Sequence, residues 1–64
     1  MNFTMIKKIR EEKNITLRDL AKKSNISYSY ISLLENGKKE NPSIKIIEGL
    51  AKVLDVPVSI FLEG

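Results

Sequence analysis

At 64 residues and 42% hydrophobic, the chain is long enough for one small core and too apolar to be disordered. It has no Cys and no His, which excludes disulfide staples and the usual zinc sites, so packing alone must hold the core. The net charge of +3 is uneven: residues 1–40 carry nine basic against five acidic residues, and residues 41–64 carry two against three. That fits a polyanionic partner on one side, and it also fits a solvated surface with a lysine surplus.

No apolar run approaches the roughly 18 residues of a membrane span. The start, Met1-Asn2-Phe3-Thr4, lacks the charged-then-apolar pattern of a secretory signal. The missing Cys fits a reducing compartment, and the expected location is cytoplasmic. With no repeat, linker or low-complexity tract, residues 1–64 read as a single domain.

Apolar spacing and capping residues predict five short helices. The first runs from about Phe3 to Lys13, with Phe3, Ile6 and Ile9 at three-residue steps. Asn14 lets the chain leave it in a left-handed conformation. The second runs from about Leu17 to Lys23 behind Thr16 as N-cap, with Asp19 at the capping-box position. Leu17, Leu20 and Ala21 form its apolar stripe, and Lys22 and Lys23 suit the negative end of its dipole.

Ser24-Asn25-Ile26 is a tight polar turn in which Asn25 tolerates the left-handed region. Ser27 caps the third helix, which points Ile31 and Leu34 at the core and runs to about Asn36, where Gly37 stops it. Pro42 keeps the loop Lys38-Lys39-Glu40-Asn41 out of helix. Ser43 caps the fourth, with Ile44, Ile47, Leu50, Ala51 and Leu54 on one face. Gly49 inside it costs about 1 kcal/mol relative to Ala and suggests a close helix–helix approach. Asp55-Val56-Pro57 ends that segment. A fifth helix, Val58 to Leu62, offers Val58, Phe61 and Leu62 as a lid.

The informative unit is Thr16 to Glu35: two capped helices joined by a turn too short for an ordinary antiparallel hairpin. Such a turn presents the later helix as a rod that can enter a DNA major groove about 12 Å wide. Opposite its core side stand Ser29, Leu33 and Asn36, flanked by Ser32 and Tyr28, with no charge among them. Hydroxyls can donate to or accept from base edges, and a leucine can touch a thymine methyl. The same face also fits a neutral surface helix, or a second interface covering Leu33. Catalysis is not expected: the glycines are isolated, and no base is spaced to activate Ser27, Ser29 or Ser32.

The run Ile6-Lys7-Lys8-Ile9-Arg10, then Ile15-Thr16-Leu17-Arg18-Asp19-Leu20-Ala21, Ile26-Ser27 and Tyr30-Ile31-Ser32-Leu33-Leu34-Glu35-Asn36-Gly37-Lys38, resembles the Cro/cI-type (Xre) helix-turn-helix family. Asn41-Pro42-Ser43-Ile44 and Leu54-Asp55-Val56-Pro57-Val58 are similar to the DNA-binding domains of SinR-like bacterial regulators. The resemblance covers nearly the whole chain. It implies an all-α, compact, five-helix lambda-repressor-like domain with its helix-turn-helix at about 17–36. It also implies a sequence-specific transcriptional regulator, acting as a repressor, that binds double-stranded DNA as a homodimer on a near-palindromic operator. No metal, cofactor, membrane or small-molecule ligand is implied. An antitoxin or a protein–protein adaptor is the alternative on the same fold. The chain reads either as a complete protein or as the headpiece of a longer regulator.

By the same resemblance, Arg10 and Glu35 form a structural ion pair; the alternative is a free surface arginine. Ser27, Tyr28, Ser29, Ser32 and Leu33 take base-reading positions. Thr16, Arg18, Tyr30, Asn36, Lys38 and Lys39 take phosphate positions. Two departures stand out: the reading positions hold no Gln or Arg, and Leu17 stands where relatives often place a Gln. Weak direct readout leaves more of the specificity to DNA shape. Self-contact is expected from Ile60 or Phe61, or from the start of the fourth helix.

Overall fold

The computed structural model describes residues 3–39 and 41–62. Among them are five helices and no strand: α1 (Met5–Glu12), α2 (Leu17–Ser24), α3 (Tyr28–Glu35), α4 (Ile44–Leu54) and α5 (Ser59–Leu62). α2 packs on α3 and α4, and α1 packs on α2 and α3.

Three helices begin with a hydroxyl that accepts a backbone N–H three residues on. Thr16 Oγ1 accepts from Asp19 N at 3.0 Å, Ser27 Oγ from Tyr30 N at 3.4 Å, and Ser43 Oγ from Ile46 N at 3.3 Å. Each satisfies one donor that the helix itself leaves unpaired.

Four helices end in one way. Asn14, Asn25, Gly37 and Asp55 stand in the left-handed region. The next residue's N–H then donates to the carbonyl five positions back: Ile15 to Arg10, Ile26 to Ala21, Lys38 to Leu33 and Val56 to Ala51. This closes each last turn. Ile15, Ile26 and Val56, the apolar residues in three of these turns, pack against the core.

Ile6, Leu20, Ile31, Leu34, Leu50, Leu54 and Phe61 are fully buried, with Phe3, Ile9, Ile47 and Ala51 almost so. The Phe3 and Phe61 rings stack at a centroid distance of 5.9 Å, which joins the first described residues to α5.

The structure corrects four expectations. α1 starts at Met5, not Phe3, because Phe3 lies in a turn whose carbonyl accepts from Ile6 N. Leu62 is 45% exposed and is no part of the lid. A four-residue helix turns only one side inward, and Phe61 occupies it. Phe61 is therefore also unavailable for self-contact. Lastly, Gly49 does not mark a close approach. A Cβ built there would meet Ile26 Cδ1 at 3.6 Å, an ordinary contact.

Candidate nucleic-acid interface

α3 sorts its side chains sharply. Ile31 and Leu34 are sealed in the core, and Glu35 is buried beside them. Ser27, Tyr28, Ser29 and Asn36 are exposed, Ser32 is half-buried, and Leu33 is 40% exposed. The exposed face therefore combines hydroxyls, one amide, one phenol and one aliphatic group. The single charge on α3, Glu35, does not reach it.

Glu35 is held from α1. Arg10 Nε donates to Glu35 Oε2 at 2.6 Å and Nη2 donates to Oε1 at 3.1 Å. Nη1 donates to the Ile15 carbonyl at 3.3 Å. Both side chains are largely out of water, with 12% and 5% of their surfaces exposed. The hydrogen bond to Glu35 is the main reason the guanidinium is held above its ordinary pKa. One guanidinium thus ties α1, the turn after it and the end of α3 into a unit, and fixes where α3 lies.

Two further contacts shape the edges of the face. The Lys39 ammonium sits 5.7 Å from the centroid of the Tyr30 ring, within cation–π range. Asn36 Nδ2 donates to the Ser32 carbonyl at 2.7 Å and approaches Ser32 Oγ at 3.4 Å. The Asn36 amide is therefore turned onto its own helix. Thr16, Arg18, Lys38 and Lys39 are exposed. Leu17 is half-buried and packs against the core, which explains an aliphatic residue there.

Sequence spacing did not reveal the Ile15 carbonyl as a partner of Arg10, or Lys39 folded back over Tyr30. Both depend on how a turn re-enters after a left-handed residue. Only Asn14 and Gly37 signalled that such turns exist.

Among the described residues no cluster of metal-ligating side chains occurs, and no helix is long and apolar enough to cross a membrane. The helix-turn-helix family pattern matches residues 6–61. The chain is 41% identical over 58 residues to the HTH-type transcriptional regulator SinR of Bacillus subtilis (strain 168), a match over 91% of this chain and 52% of that protein. A solved structure of SinR in complex with DNA superposes with a TM-score of 0.92 at 40% identity, covering 98% of this chain and 100% of that one. A SinR protein/SinI protein complex superposes with a TM-score of 0.91 at 40% identity, covering 98% of this chain and 61% of that one. The chain spans about half the length of the curated relatives it matches. It belongs to the Cro/cI-type helix-turn-helix family.

Proposed function

We propose that the chain is the DNA-binding unit of a transcriptional regulator, which lays α3 in the major groove of double-stranded DNA and represses by occupying its site. The observation that carries this reading is the face of α3: uncovered, uncharged and fixed in place by the Arg10–Glu35 pair. A groove walled by phosphates admits a helix without exposed acids, and base edges offer partners for its hydroxyls. The likeness to SinR in complex with DNA supports it.

In this reading Ser27, Tyr28, Ser29, Ser32 and Leu33 face the bases. Thr16, Arg18, Tyr30, Lys38 and Lys39 meet the phosphates, and Asn36 joins them once its amide swings off Ser32. One copy covers little DNA and binds weakly. Two copies on a near-palindromic site, their α3 helices about 34 Å apart, supply the affinity. Ile44, exposed at the start of α4, is available for self-contact. Such a unit works in the cytoplasm and catalyses nothing.

The test is selection from a random duplex pool, repeated with Tyr28→Ala and Ser29→Ala. A two-fold-related site whose preferred bases shift in the variants supports the reading. The likeness to the SinR protein/SinI protein complex favours a second one, capture of a protein partner. A stoichiometric protein complex with no salt-sensitive duplex binding would select the adaptor or antitoxin alternative.

A further inference from the structure

We infer that Leu33 makes this interface read thymine through its C5-methyl group. The inference rests on DNA binding by α3 and specifies what that helix recognises.

The core has little use for Leu33. Ile31 and Leu34, its neighbours on α3, are fully buried, whereas Leu33 stands 40% exposed. At 100° per residue it points well away from both. Its neighbours on that face, Ser29 one turn before, Ser32 beside it and Asn36 after it, are polar, so Leu33 is the aliphatic group of the face. Asn36, which caps the end of α3 and is bonded to Ser32 in the free chain, is assigned above to the phosphates. α3 carries no Gln, Arg or Lys, so no long side chain on it can form the paired hydrogen bonds that select guanine or adenine. The thymine methyl is the apolar group that base pairs present in the major groove, and it is the natural partner for an outward leucine.

Charge favours a duplex over an apolar protein surface as the occupant. From Thr16 to Lys39 the exposed charges are the cations Arg18, Lys22, Lys23, Lys38 and Lys39 against Asp19. An exposed aliphatic group in a stretch with this cationic balance matches a groove that is polyanionic at its walls and carries methyls on its floor.

The experiment uses the whole chain and the duplex obtained by selection. Each thymine is replaced in turn by deoxyuridine, which deletes only the methyl. One thymine per half-site is expected to respond, with affinity falling about fourfold, the value of one buried carbon. Leu33→Ala is expected to bind the thymine and deoxyuridine duplexes alike. Leu33→Asn, of similar size but polar, gives the same readout should the alanine variant melt early. The inference is overturned if no thymine responds, or if both variants keep the wild-type discrimination. Salt-sensitive binding without any methyl effect would leave the regulator reading intact. Failure to bind any selected duplex would remove both.

Discussion

Arg10 and Glu35 lie 25 positions apart in sequence and meet through two parallel hydrogen bonds of 2.6 and 3.1 Å. The pair is shielded from water and its third hydrogen bond, to Ile15, closes the turn between α1 and α2. Its removal therefore acts on stability and on the placement of α3 together.

Arg10→Ala should lower stability by about 3 kcal/mol, since it strands a buried carboxylate. Urea melts measure this, and an unchanged midpoint would refute it. Arg10→Lys should recover only part, because an ammonium cannot match the planar fork. The double variant Arg10→Met/Glu35→Leu should regain most of the loss, since it leaves no unpaired charge. The raised Arg10 pKa adds no pH dependence in ordinary buffers. A cation whose folded pKa is raised contributes in full below its unfolded value, and that value lies above the working range.

Two glycines should respond oppositely to alanine. At Gly49 the backbone is helical and the new methyl makes an ordinary contact with Ile26. Gly49→Ala should therefore stabilise by about 1 kcal/mol and raise the melting temperature by roughly 4–8 °C. Gly37 has φ +70°, and a Cβ built there would meet Thr4 Cγ2 at 3.9 Å. Space is available there, but the conformation is unfavourable for a residue with a Cβ. Gly37→Ala should cost about 1 kcal/mol, and Gly37→Asn less. Thermal melts of the three variants check the ordering.

Salt dependence should report the phosphate contacts. With about four phosphates neutralised per subunit, log affinity should fall against log salt with a slope of roughly −3.6 per subunit. Lys39→Gln should make the slope shallower by about 0.9. If the Tyr30 ring holds Lys39 in place, Tyr30→Leu should reproduce much of that change and Tyr30→Phe should not. A slope near zero for the parent chain would contradict phosphate binding altogether.

The helix starts at Thr16, Ser27 and Ser43 and the left-handed exits at Asn14, Asn25 and Gly37 were legible from sequence, because each depends on bonds that span no more than five residues. The outward set on α3 was legible too, since helical periodicity fixes direction once Ile31 and Leu34 are assigned inward. Periodicity does not say what stands opposite a side chain. That Phe61 stacks on Phe3 while Leu62 faces water, that Gly49 has room for a methyl, and that Arg10 also reaches the Ile15 carbonyl are decided between elements. These contacts arise only when separate helices settle against one another, and the distances that govern them belong to the packed core and not to any one stretch of chain.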